Sequence, residues 1–281
     1  MVAHSTLAPA DFVFPDEVFL RIFKLLCPAI HLERWALRDC LLACRRFYRI
    51  AWTHTFSYVV LKGDQASSEP FSHCLQYLLD TSNNHLLPVI QHLEFCGISR
   101  PMEETIVELY SELDTCTVER IVVRLPQLKT LKLYGVTWMP CNHYDHPIPD
   151  FPILPPVTHT VDLRYVRCKG LPREQLHELL ASSSLRRLTL WNVRWTKHIP
   201  RIPGSYSIPF SMAYPSTHLT VNGATETVLY SLHSFSDLTH ISLWGADIRC
   251  RSRIEAVVTR NKTTLRGIDI GFDVDCMAVC A

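Results

Sequence analysis

The stretch that decides the fold runs from Leu128 to Val136 and reads Leu-Lys-Thr-Leu-Lys-Leu-Tyr-Gly-Val. Its apolar residues alternate with polar ones around Leu131 and Leu133, which is the pattern of a short strand with one buried face. The same pattern returns six more times along the chain. The other copies are Leu93-x-Phe95-x-x-Ile98, Val161-x-Leu163-x-x-Val166, Leu188-x-Leu190-x-x-Val193, Leu219-x-Val221-x-x-Ala224, Ile241-x-Leu243 and Ile268-x-Ile270.

The spacing of the copies suits a repeat. Their second apolar positions are 95, 133, 163, 190, 221, 243 and 270, which lie 22 to 38 residues apart. Leucine-rich repeats have a period of about 20–29 residues, so the longer gaps require insertions. Helical patterns lie between several copies, at residues 103–113, 173–181, 225–233 and 252–260. Strand followed by helix, repeated, predicts an α/β stack of parallel strands. The alternative is an ordinary α/β domain whose strand spacing is coincidental.

The N-terminal segment predicts a different element. Residues 14–26 read Phe-Pro-Asp-Glu-Val-Phe-Leu-Arg-Ile-Phe-Lys-Leu-Leu, and Pro15 suits the first turn of a helix. Two apolar stripes run side by side along this helix, the first made of Val18, Ile22 and Leu25 and the second of Phe19, Phe23 and Leu26. This apolar arc is wider than a helix with one buried side needs. A second helix is expected from Glu33 to Trp52.

The order of these residues resembles the F-box, whose pattern begins Leu-Pro-x-Glu, continues through Ile-Phe and a Leu, and closes on a Val-Cys-Lys/Arg segment. The chain has Phe14-Pro15-Asp16-Glu17, then Ile22-Phe23 and Leu26, then Leu42-Ala43-Cys44-Arg45-Arg46-Phe47. It departs from the family at Phe14, where Leu is usual, and at Ala43, where Val is usual. The resemblance covers residues 12–58. The repeats behind it are similar to the irregular leucine-rich repeats of fungal-type F-box proteins, although valine replaces the usual asparagine after the strand.

The resemblance implies a non-catalytic substrate receptor of an SCF-type cullin–RING ubiquitin ligase, not an enzyme. The F-box would dock on the Skp-type adaptor, which joins it to the cullin scaffold. The implied adaptor-binding residues are Phe14, Pro15, Val18, Ile22, Phe23, Leu26, Leu42, Cys44, Phe47 and Ile50. Three alternatives stand beside it: helices packed on the rest of the chain, a repeat scaffold outside any ligase, and an enzyme with its site in the loops.

Three regions are therefore expected. They are a helical F-box at 12–58, a linker helix and cap at 59–84, and a leucine-rich-repeat-like solenoid at 85–281. The linker helix is expected at residues 71–80, and a short strand at residues 57–61 is expected to cap the solenoid. Side chains between and after the apolar strand positions should face the concave, solvent side, and the aromatics and arginines among them are the types enriched at binding hot spots. We expect a protein client to contact Tyr134, Arg164, Trp191 and Trp244, unless these aromatics pack under a loop. Proline-rich loops at 140–156 and 199–215 are expected to leave one rim.

Composition narrows the function classes. Of 281 residues, 47% are hydrophobic and 20% charged, and 28 Lys plus Arg balance 27 Asp plus Glu, so neither nucleic acid nor an acidic membrane is expected as partner. Cys141, His143 and His146 lack a fourth ligand for zinc, and no cofactor motif is present, so we expect neither metal nor cofactor. The 11 cysteines contain no CxxC pair and no secretory signal is visible, which favours free, mostly buried thiols in the cytoplasm or nucleus.

Overall fold

A computed structural model describes residues 15–26, 31–63, 70–97, 110–140, 154–169, 185–196, 217–222, 237–246 and 251–272. The chain divides into two compact units, residues 1–58 and 59–281. The boundary lies where the sequence predicts the end of the helical region. The fold is α/β, with a mostly parallel sheet of eight strands and accompanying helices.

The described elements are six helices and twelve strands. The helices are α1 (Asp16–Leu25), α2 (His31–Ala43), α3 (Arg45–Thr55), α4 (Ser72–Leu79), α5 (Thr115–Val122) and α6 (Arg251–Arg260). The strands are β1 (Tyr58–Lys62), β2 (His92–Cys96), β3 (Ser111–Asp114), β4 (Thr130–Tyr134), β5 (Val136–Met139), β6 (Thr160–Arg164), β7 (Arg167–Lys169), β8 (Arg187–Trp191), β9 (Arg194–Thr196), β10 (His218–Asn222), β11 (His240–Ala246) and β12 (Gly267–Phe272). Short 3₁₀ turns occupy Thr81–Asn83 and Leu87–Val89.

The helical unit contains three helices where the sequence predicts two. The single helix expected from Glu33 to Trp52 is wrong, because the chain leaves helical geometry at Cys44, with φ −161° and ψ 161°. The Cys44 Sγ accepts a hydrogen bond from the Phe47 amide at 3.4 Å, so it caps α3. The break lets α3 pack against both α1 and α2.

The core of this unit is small. Its fully buried residues are Phe23, Leu37, Ile50 and Ala51. Phe47 joins them with its ring 5.8 Å from that of Phe23 in an edge-on contact. Helix α1 is also tied to α3 by the Asp16 carboxylate, which accepts from Arg46 Nε at 2.6 Å. Few apolar side chains are enclosed, so much of the apolar arc of these helices stays outside the core.

The large sheet contains all seven strands that the sequence predicts. Its order is β1-β2-β4-β6-β8-β10-β11-β12, so neighbours in the sheet are successive copies of the pattern. From β2 to β12 every neighbouring pair is parallel. The register aligns equivalent positions, as Leu131 pairs with Leu93 on one side and Val161 on the other. The predicted strand near Ser57–Leu61 is also confirmed, as β1.

A second, four-stranded parallel sheet of order β3-β5-β7-β9 was not predicted. The helix expected over residues 103–113 is wrong at its end, where residues 111–113 belong to β3, and its residues 103–109 lie outside the described part. Strand β3 pairs with β5, which sets Leu113 beside Trp138 in the core. Helix α5 follows at once, because the Asp114 carboxylate accepts from the Thr117 amide at 2.7 Å and caps it.

Two predicted helices are confirmed within a residue of their bounds. Residues 71–80 contain α4, and residues 252–260 lie in α6, where Ile254 and Val257 are buried. The expected helices at 173–181 and 225–233 lie outside the described residues. The region expected to be a linker is part of the second unit, since Phe71 stands 5.5 Å from Phe95 across an edge-on ring contact.

A repeated corner follows the strands of the large sheet. Gly135, Tyr165, Asn192 and Gly245 stand at the same place in their copies and all have φ between 50° and 61°. This left-handed conformation favours glycine because a Cβ atom is crowded there. The corner amides donate to the neighbouring copy, as from Gly135 N to the Arg164 carbonyl at 3.0 Å. In the sequence, glycine stands directly after the strand pattern at positions 63, 97, 135, 223 and 245, which is a periodic signal beside that of the apolar residues.

The expectation of free, mostly buried thiols needs correction. Cys116, in the first turn of α5, is disulfide-bonded. Five described cysteines are free, and of these only Cys168 is fully buried. Burial raises the pKa of the Cys168 thiol to about 12. We therefore interpret Cys168 as a core residue and not as a reactive thiol.

Candidate protein-binding surfaces

The two apolar stripes of α1 have different environments. Phe23 is buried and Phe19 and Leu26 pack against the small core, whereas Val18 is 37%, Ile22 48% and Leu25 83% exposed. Further large apolar side chains are exposed on the neighbouring helices, namely Leu32, Trp35 and Leu42 on α2 and Tyr48 on α3. We call these seven residues, Val18, Ile22, Leu25, Leu32, Trp35, Leu42 and Tyr48, the apolar helix surface. Seven large apolar side chains exposed on one small unit favour a protein-binding role for it.

Some of the residues predicted for adaptor binding are exposed, and others lie within or against the core. Those on the surface are Pro15, Val18, Ile22, Leu42 and Cys44; those within or against the core are Phe23, Leu26, Phe47 and Ile50; Phe14 lies outside the described residues. The buried set fixes the helices in place and does not itself face a partner. Leu32, Trp35 and Tyr48 were not among the predicted residues, because those come from the F-box pattern and these three positions are not part of it.

The four residues predicted for client binding lie in one row across the large sheet. The register pairs Tyr134 with Arg164 and Arg164 with Trp191. Asn222 then pairs with both Trp191 and Trp244. Side chains alternate along a strand, so this row shares its face with the residues that separate the two apolar positions. We call this face of the large sheet the outward face.

Contacts on the outward face hold several of these side chains. The Tyr134 ring meets that of Tyr165 edge-on at 5.7 Å, and burial is the main cause that raises the Tyr134 pKa. Arg164 Nε donates to both Asp162 oxygens, at 2.9 and 3.1 Å. The Trp244 indole donates to Ser242 Oγ at 2.8 Å and remains 45% exposed. These contacts keep the side chains in fixed directions before any partner arrives.

A groove of about 510 Å³ lies on the outward face between β6 and β12. Its wall on one side contains Arg164 and Trp191, two of the predicted residues, whereas Tyr134 and Trp244 do not line it. Hydroxyl groups of Thr189, Thr220 and Ser242 lie between the walls.

The opposite wall of the groove contains residues that the sequence analysis did not select. Arg187, His218 and His240 are the first residues of β8, β10 and β11 and are paired in register. The two imidazoles stack with centroids 4.5 Å apart and planes 9° apart. Burial, then His240 and Arg187, lower the pKa of His218. The signal was present as Thr-His at 217–218 and 239–240, just before two copies of the strand pattern.

The proline-rich loops and the candidate zinc ligands fall almost wholly outside the described residues, including Cys141, His143 and His146. In the described ranges no group of three His, Cys, Asp or Glu side chains could hold a metal ion. The strands before the two loops do align, since Trp138 of β5 and Trp195 of β9 are both paired with Cys168 of β7.

Comparison with protein-family models and with curated proteins yields no match for this chain. Among the described helices, none is long and apolar enough to cross a membrane. The case for a function therefore depends on the two surfaces, the apolar helix surface and the outward face.

Proposed function

We propose that the chain is a non-catalytic substrate receptor of an SCF-type cullin–RING ubiquitin ligase, acting in the cytoplasm or nucleus. Its helical unit is an F-box that docks on the Skp-type adaptor, and its second unit is an irregular leucine-rich-repeat-like solenoid that holds a protein client. Its contribution to ubiquitin transfer is proximity, because it brings client lysines near the conjugating enzyme.

The observation that carries this proposal is the apolar helix surface. The unit ends near residue 58, and among its described residues four apolar side chains are buried while seven large ones are exposed. A domain of about 60 residues buries only about 60% of the surface that its unfolded chain exposes and is therefore of marginal stability. The exposed stripe begins at Val18 and Ile22, inside the segment whose residue order resembles the F-box.

The second unit supports the client-binding half. Its large sheet is built of successive parallel copies, so the outward face presents equivalent positions side by side. Repeat proteins use such extended faces to bind protein partners. Arg164 and Trp191, of the residue types that dominate binding energy at interfaces, meet there in one groove.

The test is co-expression of the full chain with a Skp-type adaptor, followed by affinity purification and size-exclusion chromatography. We expect a stable complex from the wild-type chain. The double variant Ile22→Asp with Leu25→Asp should lose it, because two charges would be buried against an apolar partner surface. Both side chains are exposed, so the helices themselves should keep their fold. Substitution of Phe23 is unsuitable here, because this residue is buried and its loss would unfold the unit.

The matched control is Arg21→Asp with Lys24→Asp, on exposed positions of the same helix outside the apolar stripe. It should keep the complex. Failure of the wild-type chain to bind the adaptor would refute the ligase role and favour a binding scaffold that works outside a ligase. Equal loss of binding in both double variants would show that the apolar stripe is not the docking surface.

A further inference from the structure

Positive charge gathers along the edge of the outward face where the strands begin. Lys129, Arg186 and Arg187 lie there, and within the described ranges none of them forms an ion pair. Burial is the main cause that lowers the pKa of His159, and the further causes are the cations Lys129, Arg186 and Arg187. His92, nearer the start of the sheet, is affected in the same way by burial and then by Lys129. These three cations therefore place positive charge along the edge of the outward face where the strands begin.

The stacked imidazoles are oriented by the residue before each of them. Thr217 Oγ1 donates to the Arg186 carbonyl at 3.2 Å and lies 2.9 Å from His218 Nδ1. Thr239 repeats the arrangement, with 2.8 Å to the Thr217 carbonyl and 3.0 Å to His240 Nδ1. A hydroxyl has a single proton, so a threonine hydroxyl that donates to the carbonyl accepts from the ring Nδ1. Each Nε2 is then the nitrogen that gains a proton and becomes a second donor.

The groove has one strongly positive wall and little negative charge. Among the described residues that line it, the charged or titratable ones are Arg164 on β6, Arg187 on β8, His218 on β10, His240 on β11 and Asp269 on β12. Arg164 is already paired with Asp162. Arg187 is therefore the unpaired cation of this wall and is complementary to a carboxylate, while Asp269 on β12 is the one acid among these lining residues.

The dimensions suit a short length of extended chain. The groove crosses β6, β8, β10, β11 and β12, which are four strand spacings of about 4.8 Å, or about 19 Å in all. An extended peptide rises about 3.3 Å per residue, so about six residues would fill it. The hydroxyls between the walls can hydrogen-bond a peptide backbone, and the indole of Trp191 on the far wall can contact an apolar side chain.

We propose that this groove binds an extended, acidic peptide segment of the client, with its carboxylates along Arg187, His218 and His240, and that binding is coupled to proton uptake by the stacked histidines. The proposal rests on the client-binding half of the proposed function and is independent of the adaptor half. A carboxylate beside Nε2 stabilises the imidazolium, so binding should take up protons and tighten as the pH falls.

The first experiment selects peptides from a random display library on the immobilised full-length chain. We expect enrichment of sequences rich in Asp and Glu. Arg187→Ser should weaken an enriched peptide roughly tenfold or more, the loss expected for one charge-assisted contact. The control Arg120→Ser removes the same charge from exposed α5 and should bind like the wild type.

The second experiment measures binding of an enriched peptide by calorimetry in two buffers of different ionisation enthalpy, which counts the protons taken up. Net proton uptake near pH 7 is expected for the wild type and should vanish in the double variant His218→Gln with His240→Gln. Uptake that persists in that variant would overturn the coupling.

The outcomes separate this inference from the broader proposal. Enriched peptides that are neutral, and that depend on Trp191 but not on Arg187, would refute acidic recognition and leave client binding standing. Tighter binding of a single-stranded oligothymidylate than of any peptide would refute a protein ligand altogether. Loss of adaptor binding, tested separately, would bear on the ligase role alone.

Discussion

Replacement of Gly97 by alanine tests how closely the copies of the repeat approach one another. An added Cβ would lie 2.3 Å from the Gly135 carbonyl oxygen, whereas a relaxed carbon–oxygen contact is about 3.3 Å. The two backbones must therefore separate by about 1 Å. The hydrogen bond from Gly97 N to the Tyr134 carbonyl, now 2.8 Å, would then exceed hydrogen-bonding range.

The magnitude follows from that lost bond. Leaving a buried donor and acceptor unsatisfied costs about 3 kcal/mol, and the lower backbone entropy of alanine in the unfolded chain returns up to about 1 kcal/mol. A net loss of about 2 kcal/mol should lower the melting temperature of a unit of this size by about 4–8 °C. Urea unfolding followed by tryptophan fluorescence, together with calorimetry, would measure both quantities.

The matched control is Gly271→Ala. Its Cβ would lie 2.7 Å from Trp244 Cε3 and would displace a partly exposed indole from its hydrogen bond to Ser242 Oγ, so we expect a loss of about 1 kcal/mol, smaller than at Gly97. The reasoning would be refuted if Gly97→Ala were as stable as the wild type, or if the two variants lost equal stability. Either result would mean that the close approach of the corners does not constrain the sheet.

Three further predictions concern the core, a thiol and pH. Leu133→Ala should cost about 2–5 kcal/mol of unfolding free energy because Leu133 is fully buried, whereas Val123→Ala, at a 67% exposed position, should change it by less than about 0.5 kcal/mol in the same urea assay. At about pH 8 iodoacetamide should modify exposed Cys44 and leave Cys168 unmodified, because Cys168 is buried and its pKa is about 12. Mass spectrometry would follow both rates of modification, and similar rates would contradict the prediction. Burial and nearby cations lower the pKa of His92, so below about pH 6.5 the unfolded chain binds more protons than the folded chain. The free energy of unfolding should therefore fall as the pH drops from about 6.5, and it should fall less steeply in His92→Gln. Equal stability of the wild type at about pH 5.5 and about pH 7.5 would contradict this prediction.

The sequence predicts those elements whose pattern is set by burial. Strands such as β4 and β8 have alternating apolar residues because one face of each is enclosed, and the repeat of that pattern gives their order in the sheet. The start of α1 was predictable because Pro15 and the acidic residues after it suit a helix N-terminus. These signals are local, so one sequence is enough to detect them.

Elements that form only through contacts with other parts of the chain could not be predicted from the sequence. Strands β5, β7 and β9 have three or four residues each, too few for a period to appear. They exist because the left-handed corner before them returns the chain to a second sheet. The break at Cys44 was hidden because cysteine is not among the usual capping residues and the apolar period continues across it.

The candidate site divides in the same way. The row of Tyr134, Arg164, Trp191 and Trp244 was predictable because its members occupy one position of the repeat. The wall with His218 and His240 was not predictable, because these two residues become neighbours only through the register of the strands. Strand β12, the last described strand, is a further example. It carries Gly267 and Gly271 on the outward face, where a Cβ would lie 2.7 Å from the His240 ring and from the Trp244 ring respectively. The absence of two side chains on β12 thus makes room for two rings of β11. One of these rings is that of His240, which lines the groove. The missing side chain at Gly267 therefore helps to set the shape of the groove, while β12 also extends the sheet.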